Sequence, residues 1–292
     1  PVVLMQALNK TYKADSTKQL DRIVDAGSVQ CVVTSTAYWG KRRYSADYGV
    51  EQSPAEMGTG SLEDFIDKQV LLGRQVYDAL SMKGTYWLNI ADTNSGSGGA
   101  GGDHSSKGSK GAHTGNGGIA HYKQGKANLP PGQQCLVPER VAIALQADGW
   151  ICKKVLTWDK GAPYEEDIDG VPHRFAKGGI KPEDPKHVRR PRYASETILM
   201  LVKSVGSYEY HHEMEAEPGD VWHFPPYRGK RIGPAPFPEE LPRRCILLST
   251  RPGDLVLDPC MGSGTTGRVA DDLGRPWIGV DLYKGVRPRK QS

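Results

Sequence analysis

The sequence predicts an α/β protein built on a mostly parallel sheet covered by helices on both faces. Two observations carry this. Short apolar, Val-rich segments alternate with amphipathic helical ones along the chain, and near its end a glycine-rich turn joins one such strand to one such helix. Size agrees: 292 residues suffice for one large domain with elaborations and a substantial core. The expected organisation is a single domain over 1–292, with irregular segments inserted in it.

Residues 16–24 read as a helix, and 28–34 (SVQCVVT) as a short buried strand running into a loop over 35–40. Residues 61–81 carry apolar positions three and four apart behind an acidic first turn, the pattern of an amphipathic helix, and 84–91 (GTYWLNIA) read as a strand. Residues 94–118, rich in Gly, Ser and His, cannot bury enough apolar surface to fold alone and read as a long loop. A helix over 138–148 and a strand over 151–158 follow, then an irregular basic stretch to Arg192. Residues 196–203 (ETILMLVK) form a strongly apolar strand, and 205–231 are aromatic and polar, with Val221-Trp222 the most strand-like point. A proline-opened helix over 237–248, a strand over 254–257 running into DPCMGSGTTG, a helix over 265–273 and a strand over 277–281 complete the series. The sequence has no internal repeat.

Composition excludes several classes. There is no run of eighteen apolar residues and no basic-flanked leader at the start, so the expectation is a soluble, cytoplasmic protein of a bacterium, archaeon or phage. The five cysteines form no CxxC pair and read as reduced thiols. His211-His212-Glu213 matches no zinc spacing, so no metal is expected. The net charge of +4, from 38 basic and 34 acidic residues, does not by itself announce a nucleic-acid binder. Its distribution says more: 174–192 hold seven Lys/Arg against two acids, and 284–290 hold four Lys/Arg and no acid, both suited to a phosphate backbone.

The spacing Gly262-x-Gly264-x-x-Gly267, between a strand and a helix with Asp281 some residues on, satisfies the GxGxxG pattern of nucleotide sites. Two features pull it away from a nicotinamide cofactor. Asp258 puts a carboxylate where a pyrophosphate needs neutral or positive surroundings. A carboxylate suits a ligand bearing an ammonium, such as S-adenosylmethionine, whose ribose hydroxyls Asp281 can hold. The loop also stands close to the end of the sequence, so the remaining strands of the sheet must come from upstream. That order is a permuted nucleotide-binding fold, with the cofactor strands last.

DPCMGSGTTG, together with APFP at 235–238 and the sequence as far as Leu282, resembles the cofactor half of the DNA amino-methyltransferases. The arrangement is similar to the permuted members of that family, in which the catalytic motif precedes the cofactor motif. GTYWLNIAD, GWICKKVLTWDK and SETILMLVKS resemble the strands between the two motifs. The resemblance implies a Rossmann-like, circularly permuted sheet and S-adenosylmethionine as cofactor. It further implies site-specific methylation of double-stranded DNA, of the restriction-modification kind, on the exocyclic amino group of a flipped base. By the same resemblance Asp258, Cys260, Gly262, Gly264, Thr265 and Thr266 surround the methionine end of the cofactor, Phe237 lies against it, Asp281 holds the ribose and Asp15 approaches the adenine.

The family's catalytic motif reads Ser, Asp or Asn, then Pro-Pro and an aromatic; here it is Ser35-Thr36-Ala37-Tyr38. Ser35 still offers a hydroxyl, Thr36 a main-chain carbonyl acceptor and Tyr38 a stacking ring, but the φ angles that two prolines fix must be held by packing instead. In this family a serine at the first position goes mostly with cytosine N4 as target. Two alternatives stay open: adenine N6 as the target, and a DNA-binding relative with weakened or lost turnover because the prolines are replaced. Sequence recognition is expected from 94–132, 161–192 and 205–231, with Arg189, Arg190 and Arg192 as candidate phosphate or guanine contacts. A homodimer is also left open.

Overall fold

The computed structural model describes residues 7–40, 44–45, 50–95, 129–130, 132–161, 164–168, 171–175, 194–227 and 237–284. In chain order its strands are β1 (Lys10–Lys13), β2 (Val29–Ser35), β3 (Leu80–Ile90), β4 (Ile151–Asp159), β5 (Tyr164–Ile168), β6 (Val171–Phe175), β7 (Ser195–Val202), β8 (Val221–His223), β9 (Val256–Asp258) and β10 (Trp277–Asp281). Its helices are α1 (Leu62–Ala79), α2 (Val137–Ala147), α3 (Glu240–Ser249) and α4 (Thr265–Asp272).

Eight strands form one sheet in the order β1-β10-β9-β2-β3-β7-β4-β8. Every neighbouring pair is parallel except those made by β7, which runs antiparallel to both β3 and β4. The mostly parallel sheet predicted above is present, with one reversed strand. Its last strands in sequence, β9 and β10, lie between the first two, β1 and β2, as a permuted chain order requires.

Alternation along each strand sorts the core into two faces. From β3, Tyr86, Leu88 and Ile90 pack with Leu62, Phe65, Leu72 and Val76 of α1 and Val137, Val141 and Leu145 of α2. Trp87, between them, faces the other way and joins Ile198 and Met200 of β7, Cys245 and Ile246 of α3 and Val269 of α4. α1 starts where its sequence says it should: the Ser61 side chain accepts from Asp64 N and the Asp64 carboxylate accepts from Ser61 N, a capping box. Truncating any of the fully buried leucines, Leu72 for example, costs about 2–5 kcal/mol.

Three expectations need correction. Residues 16–24 do not form an α-helix; they hold turns and a 3-10 segment at Leu20–Arg22. The Asp15 carboxylate accepts from Thr17 N at 3.0 Å and Thr17 Oγ1 at 2.6 Å, as at a helix start, and Gln19 N reaches Asp15 O. Leu20 N, however, donates to Gln75 Oε1 of α1 at 3.0 Å and the helical pairing is broken after one turn, while Leu20, Ile23 and Val24 still bury. The strand at 28–34 is not the first: β1 precedes it and caps the sheet edge against β10. The stretch read as irregular between 161 and 192 contains a hairpin, β5 with β6, closing at the pair Ile168↔Val171. Asp169-Gly170 between them is a sequence signal for a tight hairpin turn that the basic composition masked. The rest of 94–132 and of 161–192, including Arg189, Arg190 and Arg192, lies almost wholly outside the described residues.

Candidate active site at the carboxyl ends of the parallel strands

Because β1, β10, β9, β2 and β3 are parallel, their carboxyl ends share one edge of the sheet, where ligands of open α/β folds bind. Register sets the neighbours: Lys13 is opposite Asp281, Gly279 opposite Asp258, Val32 opposite Leu257 and Ser35 opposite Asn89. Asp15, Asp281, Asp258 and Ser35 through Tyr38 therefore come together from four separate strands.

The glycine loop holds the turn from β9 into α4. Gly264 caps α4 with φ at +82°, where a side chain is strained, and a Cβ on Gly267 would meet the Trp277 ring at 2.9 Å. The third glycine thus lets the helix approach the sheet. Asp258, at the tip of β9, is fully buried. Its Oδ1 accepts from Thr34 Oγ1 at 2.7 Å and Cys260 N at 3.0 Å, and its Oδ2 from Thr266 Oγ1 at 2.6 Å. Burial nevertheless pushes its carboxyl up to about 6, with Asp281 adding repulsion against the donors' opposing effect. Asp281 accepts from Gly262 N at 2.9 Å and Tyr283 N at 2.8 Å, and burial raises it as well. Burial and the same two acids hold the Cys260 thiol far above its ordinary range, so it is no nucleophile at neutral pH.

This arrangement fits a cationic ligand. Two carboxylates are held ionisable against their own burial, and of roughly four acceptor positions each, three on Asp258 and two on Asp281 are filled by the chain's own donors. A positive group against the loop relieves their repulsion, whereas an anion adds to it. Other predicted members sit differently. The Asp15 carboxylate closes its own turn, as described, and Phe237 is partly buried against the α3 side of the core. Thr265 is buried, its hydroxyl taking a bond from Arg268 Nη2 at 3.3 Å. Asp92, at the end of β3, accepts from Thr93 N, Leu136 N and Val137 N and so caps α2.

The catalytic loop is fastened at every residue. Thr34 is tied to Asp258; Thr36 is buried and its Oγ1 accepts from Gln69 Nε2 of α1 at 3.0 Å. Ala37 is buried in the core, and Trp39 is buried with Nε1 donating to Gly60 O at 3.3 Å. Ser35 Oγ lies 3.3 Å from the Tyr38 hydroxyl, which donates to Glu196 and accepts from Asn89 Nδ2 at 2.8 Å. Burial, then the Glu196 charge, drive the Tyr38 phenol well above its usual range, so it stays neutral. Sequence reasoning missed Asn89, Glu196, Lys160 and Gln69. The signal was available for three of them: each is a polar residue at the active-edge end of an apolar strand, in WLNIAD, SETILM and LTWDK.

A nucleotide-type sheet with acids at the glycine loop and a Ser-x-x-Tyr loop beside it defines a methyltransferase-like class. A model of the N6/N4 methyltransferase family, described as DNA methylase, matches residues 29–287, and the chain belongs to that family. Among curated relatives, it is 32% identical over 295 residues to the type II methyltransferase M.Cfr9I of Citrobacter freundii, covering 93% of this chain and 82% of the relative. Among solved structures, the PvuII DNA methyltransferase, described as cytosine-N4-specific, superposes with a TM-score of 0.63 at 17% identity, over 96% of this chain and 84% of that one. A candidate DNA modification methylase of Thermus thermophilus, solved in complex with S-adenosyl-L-methionine, gives a TM-score of 0.58 at 21% identity, over 95% and 89%.

Proposed function

We propose that this DNA methylase transfers a methyl group from S-adenosylmethionine to the exocyclic amino nitrogen of a base flipped out of duplex DNA, with cytosine N4 as the target. The observation that carries this is the 2.7 Å bond from Thr34 to Asp258, which joins the cofactor loop to the residue immediately before Ser35. When bound, the cofactor supplies an electrophilic methyl on a sulfonium. Asp258 provides the negative field for its cationic end, Asp281 holds the ribose, and both keep the glycine loop in shape. Tyr38 offers the stacking face for the base, while Ser35 Oγ and the Thr36 carbonyl accept from its amino group, orienting the nitrogen lone pair toward the methyl. The amino proton then passes to solvent, since neither a neutral hydroxyl nor a main-chain carbonyl is basic enough to keep it.

Ser35 favours cytosine, and the cytosine-N4 specificity given for the PvuII structure points the same way; the matched family takes in both amino positions. Arg189, Arg190 and Arg192 are proposed to contact phosphates or guanine, with the inserted segments around them reading sequence. Within 205–231, Trp222 and Phe224 are buried, which leaves the exposed residues of that stretch for DNA. The substrate implies the cytoplasm as the working compartment; among the described residues no helix is long and apolar enough to cross a membrane. The deciding experiment is sequencing of host DNA for N4-methylcytosine and N6-methyladenine with the chain expressed. N4-methylcytosine at one repeated site is expected. N6-methyladenine alone overturns the choice of base, and neither mark overturns the transfer.

One observation favours a second reading, a cofactor-retaining DNA binder without turnover: Thr36 and Ala37 stand where the family has prolines. Methylation by Thr36→Pro/Ala37→Pro but not by the parent establishes it; methylation by the parent removes it.

A further inference from the structure

Two strands that contribute no residue to the cofactor loop converge on one atom of the catalytic loop, and a third segment braces one of them. Asn89 on β3 and Glu196 on β7 meet at the Tyr38 hydroxyl, and Lys160, just past β4, backs Glu196 from its far side. That hydroxyl donates to Glu196 Oε2, and Asn89 Nδ2 donates both to it, at 2.8 Å, and to Glu196 Oε2 at 2.9 Å. Lys160 Nζ pairs with the other carboxylate oxygen, Oε1, and lies 5.2 Å from the centre of the Trp158 ring. The pair is well covered, with side-chain exposures of 19% for Lys160 and 9% for Glu196.

A covered ion pair is a poor way to gain stability, since desolvation offsets most of its attraction and apolar residues of similar size do as well. Its geometric effect here is specific. A tyrosine ring is joined to the backbone at one end, and holding the hydroxyl oxygen at the other fixes the first side-chain torsion. That oxygen lies on the axis of the second, so the ring plane is set instead by the direction of its bond: a phenolic O–H keeps to the plane of its ring, and this one is aimed at Glu196. We propose that the Lys160–Glu196 pair, with Asn89, is a positioning device for methyl transfer: it anchors the Tyr38 hydroxyl and presents the ring as a preset stacking face. Rigidity that two prolines would give the loop from within is thereby supplied by neighbouring strands. The inference rests on the reading of Tyr38 as the base platform.

The test is a double-mutant cycle on the full chain, with labelled S-adenosylmethionine and methylation-free genomic duplex DNA. Glu196→Ala is expected to slow single-turnover transfer about 10–100-fold, the scale of a lost hydrogen bond to a charged group, with cofactor Kd unchanged. Glu196→Gln keeps an acceptor oxygen and should recover most of that loss. Tyr38→Phe keeps the ring and loses the anchor, so it should match Glu196→Ala, and the double variant should be no slower than either single one. Wild-type rate in Glu196→Ala, or losses that multiply in the double variant, overturns the proposal. If the wild-type chain transfers no methyl, the platform reading itself fails. The anchor is then read alone from the Tyr38 ring-carbon resonance of 13Cζ-tyrosine protein, assigned by its loss in Tyr38→Phe. A shift in Glu196→Ala supports the anchor, and an unmoved resonance overturns it.

Discussion

The two halves of the site are held in opposite ways. At the cofactor loop the acids bind donors close in sequence: Asp258 takes bonds from Cys260 and Thr266, two and eight positions away, and Asp281 from Tyr283 and Gly262, two and nineteen away. At the catalytic loop the partners are remote: Thr36 with Gln69 is 33 positions apart, Tyr38 with Asn89 51, and Tyr38 with Glu196 158. A locally held site needs only β9, β10 and the turn and helix between them to take shape. A remotely held one exists only once the whole sheet has assembled, so distant substitutions can disturb it while leaving the cofactor loop intact.

The strongest way to break the comparison is at its one crossing point. Asp258→Ala leaves the Thr34, Cys260 and Thr266 donors buried without their acceptor. Each unpaired group costs about 1–3 kcal/mol. We expect a loss of several kcal/mol in urea unfolding and a drop in cofactor affinity of at least ~100-fold by calorimetry, the joint scale of a lost charge and a lost loop. Intact stability with lost affinity would separate the two roles.

On the catalytic side, Tyr38→Ala removes the ring. Single-turnover transfer should fall by about 10–100-fold, the worth of base–aromatic stacking, while cofactor Kd holds. A matching fall in cofactor affinity would show that the two halves are not separately held.

Acid sharpens the contrast further. The folded Asp258 carboxyl is raised to about 6 by burial, above its ordinary value. The folded state therefore binds the extra proton between roughly 4 and 6, and this group makes the free protein less stable as pH rises through that window, the reverse of an ion-paired carboxylate. A cationic cofactor prefers the ionised form. Cofactor affinity should then weaken as pH falls below about 6, by up to about tenfold per unit, while Asp258→Asn flattens the profile. A wild-type profile with no break near 6 counts against Asp258 as the group responsible.

The smallest expected effect belongs to Asp15. Its carboxylate serves the turn to Thr17, so Asp15→Ala should cost about 1 kcal/mol, as a lost cap does. Cofactor affinity should change less than tenfold. A larger change would support the resemblance-based reading, in which this acid approaches the adenine.

Most elements of the sheet were readable because their apolar periodicity is local. The helix expected over 16–24 failed for a reason that is not local: Leu20 N donates to Gln75 of α1, 55 positions on, and the turn that Asp15 opens goes no further. β1, four residues with ends exposed, carries too little pattern to read; it is a strand because β10 offers it an edge. By itself the sequence determined the class of fold, the permuted order and the cofactor loop, since glycines, acids and threonines within a short span dictate that turn. Only the tertiary structure decided how Tyr38 is held. Asn89 and Glu196 stand on β3 and β7 and Lys160 just past β4, three strands whose adjacency in the sheet, including the antiparallel placement of β7, is written in no local segment. Burial at that junction is what turns an ordinary lysine, glutamate and asparagine into an anchor.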